Sequence, residues 1–103
     1  MDKRWAVRRP LKINVDLRYR DMEVMNCQTR DVSLNGAFVE LEQLQPAVDT
    51  AVDLVFRLGG TGQYTKYKVP SKVARATGEG IGVMFDEMDI SSFRTLRQVL
   101  NAN

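Results

Sequence analysis

A chain of 103 residues, 44% apolar and 27% charged, has the size and balance of one ordinary globular domain and leaves no room for a second core. No run approaches the roughly 18 consecutive apolar residues of a membrane span. Histidine is absent and Cys27 is the only cysteine, which excludes an internal disulfide, the usual zinc sites and hydrolysis through a histidine base.

The net charge of +2 is unevenly spread, because Lys3, Arg4, Arg8 and Arg9 against Asp2 give residues 1–9 a net +3 and leave the remainder at −1. Cations crowded within a Debye length, roughly 8 to 10 Å at physiological salt, repel one another unless an anion sits among them. A solvated basic terminus is the plain alternative. The start runs into a charged, proline-containing segment rather than an apolar one, so it does not read as a secretory signal; a cytoplasmic location and no membrane insertion are expected.

After the arm, residues 12–19 alternate apolar and polar strictly, the pattern of a half-buried strand. Arg20-Asp21 is the turn into a second strand over residues 22–32. Asn35-Gly36 then signals a hairpin into a third, residues 37–41, with Ala37, Val39 and Leu41 facing inward. Residues 43–50, with Pro46, read as a loop. Val52, Leu54, Phe56 and Leu58 alternate with polar Asp53 and Arg57 in a fourth strand, and the glycines from Gly59 to Gly62 turn the chain into a fifth, residues 64–75. Pro70 interrupts that strand and marks a bulge or an edge. Gly78-Glu79-Gly80 leads to a sixth strand, residues 81–85. Over residues 89–101 the period changes: Ile90, Phe93, Leu96, Val99 and Leu100 share one helical face, and Asp89 or Ser91 caps the start. So short a helix is marginal alone, so its stripe packs on the sheet. Six short antiparallel strands and a terminal helix predict a mainly β fold, a small barrel that removes exposed edges.

Two short patterns flank the first predicted strand. Arg4-Trp5-Ala6-Val7-Arg8, followed by Arg9, has the form RxxxR; Asp31-Val32-Ser33-Leu34-Asn35-Gly36 has the form DxSxxG. An arginine fork pairs bidentately with guanine O6 and N7 or with phosphate oxygens, and its flat face stacks on a base. The position before Pro10 holds Arg9 extended, so the arm wraps rather than continuing as a helix. Asp31 offers two acceptors that suit guanine N1 and N2, and Ser33 offers a hydroxyl able to donate to phosphate or accept from a base. Gly36 permits positive φ, or frees space where a backbone turns or a flat ligand approaches. Each residue also has a purely structural use: Asp31 and Ser33 can bond the turn backbone, and Asn-Gly suits a hairpin without any ligand. Trp5 either anchors the arm on the barrel or stacks on a base. Cys27 reads as core.

Taken together, the order of the two patterns, their interval, the alternating strand between them and the terminal helix resemble PilZ domains, bacterial receptors for cyclic di-GMP. Gly80-Ile81-Gly82-Val83-Met84-Phe85 is similar to the closing strand of that family. The resemblance covers nearly the whole chain, with no departure at the five motif positions. It implies one PilZ-type domain over residues 1–103: a basic, flexible N-terminal arm (1–10), a six-stranded antiparallel β-barrel (12–86) and a C-terminal α-helix (89–101). It further implies that Arg4 and Arg8, with Lys3 and Arg9 beside them, grip cyclic di-GMP while Asp31, Ser33 and Gly36 form the facing wall. Lys3 would help neutralise a second, stacked nucleotide. The expected role is that of a sensor, not an enzyme, with no other cofactor: binding draws down the arm and alters a surface read by an effector in motility, pilus, biofilm or polysaccharide control. Two other readings remain at this stage. One is a small barrel for single-stranded nucleic acid, with Trp5, Tyr19, Tyr64 and Tyr67 stacking, disfavoured by Asp31, Glu40, Glu42 and Asp53 in or near the groove strands. The other is an adaptor that docks without ligand.

Overall fold

In the computed structural model, which describes residues 9–42, 46–59 and 62–101, seven strands and one helix follow in order: β1 (Arg9–Pro10), β2 (Asn14–Tyr19), β3 (Met22–Val32), β4 (Gly36–Glu40), β5 (Ala51–Leu58), β6 (Thr65–Thr77), β7 (Gly80–Phe85) and α1 (Ile90–Asn101). All pairings are antiparallel and run β3-β2-β5-β6-β7-β4, and β4 pairs back onto β3 to close a six-stranded barrel; β1 adds to β3 beside it. Closure leaves no long exposed edge among these six strands.

The period-two pattern sets which side chains fill the interior. Val15, Leu17, Val32, Ala37, Val39, Leu54, Val73, Ile81 and Val83 are fully buried in one cluster, with Phe56 and Val69 at 1% exposure. Ala37, Val39 and Leu41 face inward as their alternation requires. Phe56 meets Phe85 edge to face, centroids 5.9 Å apart and planes at 85°. Cys27 lies in the core, where burial, and then the charge of Asp16, push its thiol pKa up.

Asp89 caps α1, its Oδ1 accepting from Ser92 N at 2.7 Å. Leu96 and Leu100 join the barrel core, while Phe93 and Val99 pack at its margin. Ile90, expected on the packed stripe, is 70% exposed, and Ser92 is buried in its stead. The helix therefore leans on the barrel through its Ser92–Leu96–Leu100 line, one step round from the hydrophobic face, and its first residue overhangs.

Pro70 marks neither an edge strand nor a bulge: β6 is paired on both sides, and Pro70 sits where its ladder with β7 ends. It pairs with Asp53 on β5, and its carbonyl accepts from Asp86 N at 2.9 Å on the β7 side. A strand residue's N and C=O point the same way, so the missing N–H falls just past the Ser71–Phe85 pair that ends the β6–β7 ladder. The bulge in β6 sits between Val73 and Arg75.

β3 itself bends twice. Its register against β2 shifts between Val15 and Leu17, where Asn26 takes a left-handed φ of 61°. Against β4 it shifts between Thr29 and Asp31. Between β1 and β2 the chain stays on β3: Leu11 N donates to Arg30 O (3.1 Å), Thr29 N to Ile13 O (3.0 Å), and the Thr29 hydroxyl bonds both Leu11 O and Ile13 N. Thus residues 9–13 run antiparallel along β3, a stretch the alternation did not reveal because Pro10 and Leu11 break it.

Candidate functional site

The Asp31–Gly36 segment is the tip joining β3 to β4. Ser33 N donates to Gly36 O at 2.8 Å, and the Ser33 hydroxyl accepts from Asn35 N (3.0 Å) and Gly36 N (3.2 Å) while lying 3.4 Å from Gly36 O. The hydroxyl replaces the backbone acceptor a tight turn would use. Ser33 is only 2% exposed, and Leu34 inserts into the core. The middle of the turn is Leu34-Asn35, neither with positive φ, so Asn35-Gly36 marks the hairpin without forming the centre of a primed turn. Gly36 does not adopt a left-handed φ either: a Cβ there would sit 2.2 Å from the Val83 carbonyl oxygen, so the close approach of β7 excludes a side chain. Phe85 N, donating to Asn35 O at 2.8 Å, ties the tip to the end of β7.

Only Asp31, of the three residues expected to form a wall, is partly exposed. The bulge at the end of β3 turns Arg30 and Asp31 outward while Thr29 and Val32 stay buried. Asp31 lies in register with Pro10 on one side and Phe38 on the other. Phe38 is 2% exposed yet is not part of the interior cluster. It is buried on the outside of the barrel, with the Arg30 guanidinium 4.6 Å and the Arg75 guanidinium 5.6 Å from its ring centroid. Arg30 is also held by Glu40 and Glu79, each at 3.3 Å.

Arg9 is exposed at the inner end of the arm, opposite Val32, and its Nη1 donates to Leu100 O at 3.2 Å. It thereby places a cation at the carbonyl end of α1, where the helix dipole favours one. Lys3, Arg4 and Arg8, like Trp5, lie outside the described residues. Among the described residues no group of three or more Cys, Asp or Glu side chains is arranged to hold a metal ion, and no helix is long and apolar enough to cross a membrane.

A family model described as "PilZ domain" matches residues 2–102. The chain belongs to the PilZ domain family. No curated protein matches its sequence. Among solved structures it is similar to the PilZ domain of CeSA from a cellulose-synthesizing bacterium, at 18% identity with a TM-score of 0.72, covering 93% of this chain and 96% of that one. It is also similar to the Bacillus subtilis inhibitor of motility, MotI/DgrA, at 18% identity with a TM-score of 0.73; 92% of this chain covers 50% of that one. At such identity these two likenesses concern the fold, and they agree with the closed barrel described above.

In this PilZ domain, then, the described part of the arm and the DxSxxG turn are brought together by β1–β3 pairing. Asp31 faces outward, Ser33 and Gly36 build the turn beneath it, and Arg9 reaches toward α1. The outward group formed by Arg30, Phe38 and Arg75 was missed at the level of sequence. A signal for it does exist: Phe38 stands between inward Ala37 and Val39, and Gly80 and Gly82 fall on the outward positions of β7.

Proposed function

We propose that this chain is a receptor for cyclic di-GMP, acting in the cytoplasm without a further cofactor or enzymatic step. Arg4 and Arg8, with Lys3 and Arg9 beside them, hold guanine and phosphate, Asp31 accepts from a guanine edge, and Ser33 and Gly36 set the turn that carries Asp31. Membership of a family of cyclic di-GMP receptors and the presence of both signatures support this. The observation that carries it is the register Arg9–Val32 and Pro10–Asp31, which runs the chain immediately following RxxxR along the strand that carries DxSxxG. The signature acceptor Asp31 thus stands on the outer face beside the strand that continues RxxxR, an arrangement suited to a flat dianion with two purine edges.

Drawing the arm down orders its backbone, at a cost of order a few kcal/mol offset by charge-assisted hydrogen bonds. The result is a changed surface for an effector protein. The nucleic-acid reading is less favoured, since Tyr19 and Tyr67 pack on the core and Tyr64 alone of the three is exposed, its ring 5.5 Å from the Arg57 guanidinium.

Isothermal titration with cyclic di-GMP tests the reading. Arg4→Ala and Arg8→Ala each cost roughly 1 to 3 kcal/mol of affinity, by the measure of bidentate arginine–guanine contacts, with circular dichroism unchanged. Ligand at a hundred times its dissociation constant raises stability by about 2.7 kcal/mol. No heat of binding together with an unmoved melting curve would reject the receptor role and leave an adaptor.

A further inference from the structure

The two arginines over Phe38 differ in one respect. Arg30 is neutralised by Glu40 and Glu79, whereas no carboxylate lies within salt-bridge distance of Arg75 among the described residues. Arg75 is exposed, yet its side chain is directed. A Cβ on Gly82 would lie 3.3 Å from both its Cγ and Nε, so its stem lies across β7 where Gly82 has no side chain. A Cβ on Gly80 would lie 3.0 Å from Phe38 Cε1. The two glycines thus form a trough that holds the Phe38 ring and the Arg75 stem, and the ring supports the guanidinium.

The strand registers put Arg75 in line with the signature. Pro10, Asp31, Phe38, Gly82 and Arg75 are successive partners on β1, β3, β4, β7 and β6. The bulge between Val73 and Arg75 lets Val73 stay in the core while Ala74 and Arg75 are both exposed. From Asp31 to Arg75 is three inter-strand spacings, about 14 Å along the sheet. One purine at the Asp31 end does not fill that row, but a ligand with two purines does.

The geometry points to Arg75 as a second base-recognition residue, on the opposite side of Phe38 from Asp31, for the guanine that Asp31 does not hold. This rests on the receptor reading above. An un-neutralised guanidinium, here 5.6 Å from the Phe38 ring centroid, has a planar face able to stack on a base and an edge with two parallel donors. Those donors match guanine O6 and N7 and not adenine, which carries an amino donor at the O6 position. Arg75 therefore contributes guanine selectivity as well as affinity.

Titration calorimetry with two probes, cyclic di-GMP and the mixed cyclic GMP-AMP, on the whole chain and on Arg75→Ala and Arg75→Lys tests this. Expected is a loss of about tenfold or more in cyclic di-GMP affinity for Arg75→Ala, with an unchanged melting temperature in the absence of ligand. The preference of the unmodified chain for cyclic di-GMP over the mixed ligand shrinks in that variant, as coupled partners in a double-mutant cycle require. Arg75→Lys, which keeps the stem and the charge but loses the fork, does not restore the preference. Unchanged cyclic di-GMP affinity in Arg75→Ala, or an undiminished preference, overturns the assignment while leaving the receptor role standing if Arg4→Ala still weakens binding. Absence of binding by the unmodified chain overturns both.

Discussion

At the first bulge of β3, around Asn26, an aspartate, an arginine and an asparagine bond one another, leaving the buried Arg57 Nε without a partner; at the second, around Arg30, similar residue types are spread over the outer face. Asp16, 1% exposed, takes both Arg57 Nη2 contacts at 2.9 Å and the Asn26 N–H at 3.1 Å, while Arg57 Nη1 donates to the Asn26 side chain at 3.1 Å. Burial pushes the Asp16 carboxyl up, but the Asn26 and Arg57 hydrogen bonds outweigh it and hold the pKa below the ordinary carboxylate value. Around the second bulge Arg30 is closed off by Glu40 and Glu79, while no carboxylate among the described residues lies within salt-bridge distance of Arg75. The difference teaches that residue type does not separate a structural polar group from a recognition group. What separates them is whether the charge is consumed inside the fold.

Replacing Asp16 is the largest test of this contrast. Asp16→Ala strands the Arg57 guanidinium and the Asn26 N–H beside the barrel wall, with an expected loss of about 3 kcal/mol in urea unfolding. The folded fraction should bind cyclic di-GMP as before; a fall in its affinity would show that the two bulges are not independent. Ser33→Ala comes next, at about 1 to 2 kcal/mol, because the buried amide of Gly36 and the partly buried amide of Asn35 lose their acceptor. Its affinity loss should follow from a displaced Asp31, and hydrogen exchange at Asn35 and Gly36 should speed up. Stability unchanged with affinity lost would return Ser33 to direct contact with ligand.

The smallest effect is on pH. The folded-state pKa of Asp16 is depressed, so its contribution is fully present above the unfolded carboxylate value of about 3.9 and is lost as pH falls through the lower folded value. The urea midpoint should therefore drop below about pH 4, and Asp16→Asn should flatten that part of the curve. An equally steep fall in Asp16→Asn would assign the acid sensitivity to other carboxylates.

Much of the barrel was legible because its strands alternate: the second strand was read with the same bounds, 22–32, and the others within a few residues. Several misreadings share a cause, in that local pattern carries no information about partners. β1 exists only because β3 lies beside it. Asn35-Gly36 looks like a turn centre, but the Ser33 hydroxyl moves the turn one residue earlier and β7 accounts for the glycine. Ile90 belongs to the apolar stripe by spacing, yet the approach of α1 to the barrel buries Ser92 in its place.

The candidate site was legible in part. Asp31 was recognisable from its motif, whereas Arg30, Phe38 and Arg75 are separated in the chain and meet only through the β3-β4-β7-β6 registers.

By itself the amino-acid sequence determined the mainly β fold, the inward residues, the terminal helix and the family, since these rest on period, turn chemistry and short motifs that neighbouring residues carry. Tertiary structure alone decided which polar side chains are spent. Strand closure and two bulges bury Asp16 against Arg57, absorb the Ser33 hydroxyl into its turn and leave Arg75 exposed on Phe38 with no counter-charge among the described residues. A charge is neutralised or left available by what lies across the sheet, and that is a matter of register, not of sequence order.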